Sequence, residues 1–235
     1  MPFPYKTIKH QVLVVGATSG IGLALAEKML SEGVTKIIAL GRRQEKLDEL
    51  QKKHGDSKVS TVAFDITNLE SIPKMVEGNN RVKGGENAGL IFTTSGLALV
   101  HIVRCGNYCE SKAAMHQLIL VMREQLRDVG QSENGNTAEE KTSGKNKKSK
   151  GVQVIEIYPP AVQTELHDEK HQPDIKDGRN MGMPLDEFTE EAWRGLERGD
   201  EDIPVGTTWK GFGYEEVEMR RKKLFGEMME KMKGN

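Results

Sequence analysis

Residues 11–30 set a short apolar strand, a glycine-spaced turn and an amphipathic helix in direct succession. Val12, Leu13, Val14 and Val15 run into Gly16-Ala17-Thr18-Ser19-Gly20-Ile21-Gly22, and the helical stretch Leu23 to Leu30 follows, with Leu25, Ala26, Met29 and Leu30 on its apolar side. The first turn of a helix exposes unpaired N–H groups and a partial positive charge, and glycine has no Cβ to hold an anion away from them. Glycines at 16, 20 and 22 give the order G-x-x-x-G-x-G. Between a buried strand and a helix, this order reads as a seat for the pyrophosphate of a dinucleotide; the competing reading is a tight turn with no ligand.

Further along, the pattern alternates between strand and helix. Strands are expected at Thr35 to Leu40, Val59 to Phe64, Leu90 to Thr94 and Val152 to Tyr158. Helices are expected at Arg43 to His54, Leu69 to Val76, Tyr108 to Val129, Leu185 to Leu196 and Tyr214 to Met232. Alternation of this kind predicts an α/β fold with a doubly wound parallel sheet, in a single domain over residues 1–235. Residues 131–150 are rich in Ser, Asn, Gly, Glu and Lys with almost nothing to bury, and are expected to form a disordered low-complexity loop insertion.

A formal charge of -1, from 34 basic and 35 acidic residues, gives no field that would draw the chain to nucleic acid or a membrane surface. No apolar run approaches the ~20 residues that span a bilayer. Two cysteines, Cys105 and Cys109, and an N-terminus without an apolar signal core point to a cytoplasmic, reducing setting.

Tyr108 and Lys112 stand four apart on the expected long helix and so share a face. An ammonium beside a phenol favours the phenolate, and a shift from ~10 toward neutrality takes about 3 units, roughly 4 kcal/mol. Ser95 ends the Leu90 strand, and ligands of open parallel sheets sit beyond the carboxyl ends of strands. A hydroxyl there can orient a carbonyl oxygen while the tyrosine transfers a proton. Taken singly, Tyr-x-x-x-Lys is common by chance and Ser95 reads as an ordinary turn residue; together with the glycine turn they form a constellation.

With these motifs the chain resembles the short-chain dehydrogenase/reductase family, in its classical NADP-using branch, over nearly its whole length. The resemblance implies a Rossmann-like fold with Ser95, Tyr108 and Lys112 as the catalytic set. It implies coenzyme contacts from Gly16, Thr18, Ser19, Gly20, Ile21 and Gly22, from Asp65 at the adenine, from Tyr108 and Lys112 at the nicotinamide ribose, and from Val162 and Thr164 after Pro159-Pro160. No acidic side chain lies between Thr35 and Arg43, where one would hold a ribose 2′-hydroxyl; Arg42 and Arg43 suit a 2′-phosphate instead. Arg43 also reads as the solvated start of the next helix. The expected activity is hydride transfer between NADP and a small carbonyl or alcohol substrate.

One departure matters. Only 29 residues separate Asp65 from Ser95, too few for another strand and helix, since a βαβ unit takes roughly 30 or more. The family's fourth strand and the helix after it are therefore expected to be missing, leaving six strands of the usual seven. Its catalytic asparagine goes with them, because Asn87-Ala88-Gly89 precedes a strand instead of following one. Either the Leu90 strand moves into the gap or apolar sheet surface stays exposed. The lost helix is half of the family's usual dimer interface, so a homo-oligomer is possible but cannot be carried over. The competing functional reading is an impaired family remnant that binds NADP or a protein partner without turnover.

Other features have plainer readings. His101, Cys105 and Cys109 recur every four residues but fall short of four convergent zinc ligands. His167 and His171 lie in a polar segment, and Val217, Leu224, Phe225, Met228 and Met232 form an apolar helical stripe suited to docking.

Overall fold

The computed structural model describes residues 11–78, 89–132 and 153–233. Nearly all of the expected 131–150 insertion lies outside the described residues, as do Asn87, Ala88 and most of the polar stretch before them. The chain gathers into two compact units, Met1–Lys83 with Ala161–Asp200, and Gly84–Pro160 with Glu201–Asn235.

In the first unit, β1 (Gln11–Val15), β2 (Lys36–Gly41) and β3 (Val59–Ala63) form a parallel sheet in that order, with Val12 beside Ile37 and Ile38 beside Ser60. Ile37, Ile38, Ala39 and Leu40 of the central strand are buried, as a parallel strand covered on both faces requires. The helices supply the cover: α1 (Gly20–Ser31) buries Leu25, Ala26, Met29 and Leu30, and α2 (Gln44–His54) buries Leu47 and Leu50. α3 (Ile72–Gly78) follows a single 3-10 turn after β3.

The second segment of this unit contributes α5 (Leu185–Arg198), which packs on α1. Its buried Phe188, Ala192, Trp193 and Leu196 recur at helical spacing. Asp186 and Glu187 in its first turn suit the positive end of the helix dipole, and Gly199 ends it in the left-handed region at φ 76°. The same segment is tied to the corner after β2 by Glu165, whose Oε1 lies 2.8 Å from Nη2 of Arg43.

β1 departs from the expectation of a fully buried strand. It pairs with β2 alone, and Leu13 and Val15 are 41% and 53% exposed. Among the described residues no second strand pairs with it.

In the second unit, β4 (Gly89–Thr93), β5 (Gln153–Tyr158) and β6 (Asp202–Pro204) form a separate parallel sheet in that order, with Gly89 beside Gln153 and Ile157 beside Ile203. β4 pairs with β5 alone, and Leu90 is 42% exposed. α4 (Gly106–Ser132) begins two residues before the expected start. A π-helical turn, Tyr214–Glu218, leads into α6 (Met219–Lys233). β6 was not foreseen, since Asp-Ile-Pro has neither the length nor the composition of a strand. The described residues hold six parallel strands, one short of seven. Among them no helix is long and apolar enough to cross a membrane.

Two expectations concern stability. Leu47 is wholly buried, so Leu47→Ala should cost about 2–5 kcal/mol in urea unfolding followed by circular dichroism. The Arg43 guanidinium and the Ser19 hydroxyl hold the Glu165 carboxyl well below its ordinary 4.5, at about 2. A group depressed in the folded state stabilises it above the unfolded value and loses that contribution as pH falls. Because both partners are more than a third exposed, Glu165→Gln should cost less than about 1 kcal/mol at pH 7. Its deficit should shrink between pH 4.5 and 2.

Candidate functional site

The glycine turn is held open by its backbone. Gly16 and Gly20 adopt positive φ, 81° and 53°. A Cβ on residue 22 would stand 2.3 Å from the carbonyl oxygen of Gly16, so only glycine lets the helix start this close to the strand. The N–H groups of Gly16 and Ala17 are bonded to the Leu40 carbonyl at 2.9 and 3.1 Å, which anchors the turn on β2. Ser19, extended at the N-cap, makes no capping bond with its side chain, and the first turn of α1 carries no acidic residue. The donors at the start of α1 thus lack the side-chain acceptor that usually serves them.

Arg43 lies against this turn. Its Nη2 donates to Ser19 Oγ at 2.5 Å and to Thr18 Oγ1 at 3.2 Å. Arg42 is exposed, and Asp65 lies near enough to feel its charge. The Asp65 carboxyl accepts from the N–H and hydroxyl of Thr67 at 3.0 and 2.8 Å, and these donors hold it below the usual carboxylate range. The Thr164 methyl lies 3.4 Å from the place a Cβ of Gly20 would take, so this side chain meets the turn directly. Ile21 is half-buried in the first turn of α1, and Val162 is buried in a parallel bridge to Met183.

The second unit brings Ser95, Tyr108 and Lys112 together. Ser95 is 6% exposed at the end of β4; its Oγ accepts from the Leu97 N–H at 3.1 Å, and its hydroxyl lies near enough to the Tyr108 phenol to pull that group's pKa down. Lys112, one turn along α4, donates to the Thr93 carbonyl at 3.1 Å and sits 5.5 Å from the centre of the Tyr108 ring.

The charge state differs from the sequence expectation of a depressed phenol. Partial burial pushes the Tyr108 phenol above its ordinary value, and the nearby Ser95 hydroxyl offsets only part of that. The ammonium is spent on a backbone carbonyl over the ring face. Burial also pushes Lys112 down, against an opposing pull from Glu156. Tyr108 therefore holds its proton at neutral pH.

Several polar side chains here were missed from sequence. Glu156, His116 and Tyr158 are fully buried beneath Thr94, linked by hydrogen bonds. A glutamate inside the apolar run Val154 to Tyr158 was the available signal. The Cys105 and Cys109 sulfurs lie 3.9 Å apart, both as free thiols. Among the described residues no group of three or more His, Cys, Asp or Glu is placed to hold a metal ion. Val217, Leu224, Met228 and Met232 of the C-terminal stripe are each more than half exposed.

Comparisons with known proteins bear on these features. Residues 10–84 match the short chain dehydrogenase family. Serine 3-dehydrogenase of Rhizobium radiobacter is 40% identical over 37% of this chain, a stretch that covers about a third, 34%, of that protein. An uncharacterized oxidoreductase, DltE, of Bacillus subtilis (strain 168) is 25% identical over 84% of this chain and 88% of its own. A short chain dehydrogenase from Burkholderia cenocepacia J2315, solved in complex with NADP, superposes with a TM-score of 0.64 over 92% of this chain and 96% of its own, at 18% identity. That superposition shows the fold, Rossmann-like α/β, and the sequence match falls on the glycine turn with its flanking strands. Over residues 10–84 the chain is similar to the short chain dehydrogenase family, and it spans about a third of the length of the Rhizobium relative.

Proposed function

We propose that the chain is an NADP-dependent oxidoreductase that moves hydride between the nicotinamide and the carbon of a small carbonyl or alcohol. The observation that carries this reading is the grouping of the Ser95 hydroxyl, a Tyr108 phenol that retains its proton, and the Lys112 ammonium 5.5 Å from the centre of the same ring. The turn fits the coenzyme: it lacks a Cβ at Gly22, keeps free donors at the start of α1 and has the Arg43 guanidinium alongside. Gly16, Thr18, Ser19, Gly20, Ile21 and Gly22 would hold the pyrophosphate, Arg42 and Arg43 the 2′-phosphate, and Asp65 the adenine. Tyr108 and Lys112 would meet the nicotinamide ribose, and Val162 and Thr164 the nicotinamide. The NADP carried by the Burkholderia relative supports the same choice.

Bound NADPH supplies the hydride for carbonyl reduction. The chain supplies the proton: Tyr108 gives it to the substrate oxygen that gains charge, and Ser95 orients that oxygen. The Lys112 ammonium stabilises the phenolate left behind. Because Glu165 now engages Arg43, a 2′-phosphate would take over the guanidinium from a carboxylate of like charge. Two free thiols accord with a reducing, cytoplasmic setting.

The exposed apolar edges of β1 and β4 favour a second reading, a remnant that binds the coenzyme without turning over. NADPH fluorescence titration and NADPH oxidation with a panel of aldehydes and ketones separate the two. The enzyme reading expects wild type and Tyr108→Phe to bind within a few-fold of each other, with turnover about 10²–10⁴-fold lower in the variant. Gly22→Ala should abolish binding, because its methyl meets the Gly16 carbonyl. Binding without oxidation by the wild type supports the remnant; no binding overturns both.

A further inference from the structure

Beneath the Tyr108–Lys112 pair lies a set of ionisable side chains that the proposed chemistry does not use. Glu156, wholly buried in the middle of β5, accepts from three directions: from the Thr94 hydroxyl at 2.7 Å, from Nδ1 of His116 at 2.9 Å and from the Tyr158 hydroxyl at 2.8 Å. Three converging donors suit a carboxylate. Thr94 follows the residue whose carbonyl receives the Lys112 ammonium, and His116 follows Lys112 by one helical turn, on the same face of α4. Glu156 is thus braced from the two elements that also position Lys112.

We propose that Glu156 is the buried counter-charge of Lys112, with Thr94, His116 and Tyr158 as the struts that hold its carboxylate at that post. Lys112 is a half-buried cation whose neutral neighbours are the Thr93 carbonyl and the Tyr108 ring. The carboxyl held next to it is that of Glu156, bonded by Thr94, which adjoins Thr93, and by His116, one helical turn beyond Lys112; its charge opposes the loss of the Lys112 proton on burial. The inference rests on the reading of Tyr108 and Lys112 as the proton-handling pair, and it makes Glu156 a positioning residue that acts through Lys112.

The groups around Glu156 leave it this role. The Tyr158 oxygen also lies 2.8 Å from Asp202 Oδ1, so its one proton is shared between the Glu156 and Asp202 carboxyls, and Asp202 is already paired with Arg123 at 3.0 Å and with Lys222. On the far side of His116, Nε2 lies 3.3 Å from Oε1 of Glu218, without hydrogen-bond alignment, and Glu218 is paired with Arg221. The cations of this cluster are thereby shared with Asp202 and Glu218. The Glu156 carboxyl is instead bonded by Thr94 and His116, the residues next along the strand and the helix that hold Lys112.

Titration of Lys112 itself provides the test. Lysines are dimethylated with ¹³C-formaldehyde, the Lys112 resonance is identified by its loss in Lys112→Arg, and its shift is followed against pH in wild type and Glu156→Gln. Removing the counter-charge should move the Lys112 titration down by about one pH unit, tenfold in its proton dissociation constant, with the other lysines unmoved. Thr94→Val, which deletes one strut and keeps the shape, should move it the same way by less, and it serves where Glu156→Gln does not fold by circular dichroism. A folded variant whose Lys112 titrates as in the wild type overturns the proposal. Neither coenzyme nor substrate enters this measurement, so a failure of NADPH oxidation counts against the oxidoreductase reading alone.

Discussion

The approach of residue 22 to the carbonyl of Gly16 is the constraint from which the first unit is built. With a side chain at 22 the 2.3 Å contact forbids it, and helix α1 would have to start farther from β1. The turn that hangs from the Leu40 carbonyl would lose its shape. The same closeness leaves the first N–H groups of α1 unserved by any capping side chain and brings Arg43 onto Ser19 and Thr18. Close packing and the uncapped start of α1 thus meet at a single position, where residue 22 has no Cβ. Thr164 extends the arrangement from the other chain segment by placing its methyl on Gly20.

The short distance between Asp65 and Ser95 acts in the opposite sense, by removing surface that the rest of the design presumes. β1 and β4 carry sequences suited to the interior of a parallel sheet, yet each pairs on one side only. Leu13, Val15 and Leu90 pay no packing dividend where they stand, at roughly 25 cal/mol per Å² of apolar surface left wet. Exposed, apolar strand edges are also templates for pairing with other chains. The site residues of each unit nevertheless keep their local geometry, because Ser95, Tyr108 and Lys112 are positioned by β4 and α4, and the glycine turn by β1, β2 and α1.

Most of this was legible in the residues wherever a periodic pattern or a steric rule governs the outcome. The glycine turn, the strands around it and the Tyr108–Lys112 face of α4 follow from spacing alone. The short interval between Asp65 and Ser95 was legible too, as a count of residues too small for a further βαβ unit. Three features escaped because their causes are tertiary. β6 is a three-residue strand whose sequence carries no signal. Arg43 at the turn is also paired with Glu165, more than a hundred residues later in the chain. Burial raises the Tyr108 phenol where sequence spacing alone suggested that a lysine would lower it, since spacing says nothing of where the ammonium points.

The buried charges of the second unit explain how so short a strand as β6 is placed. A three-residue ladder is weak, but Arg123 of α4 donates to the Val154 carbonyl of β5 at 3.0 Å, to the Glu201 carbonyl and to Asp202 of β6. Tyr158 reaches Asp202 from β5, and Lys222 reaches it from α6. An apolar cluster of equal volume would bury as well and often more favourably, yet it would fix neither the register of β6 nor the direction of α6. In the ionic cluster each member is shared, so displacing one element strands a buried charge in every other. The cost of desolvating these groups is thus set against a definite arrangement of β5, β6, α4 and α6, and the Glu156 carboxylate beneath Lys112 inherits its fixed place from that arrangement.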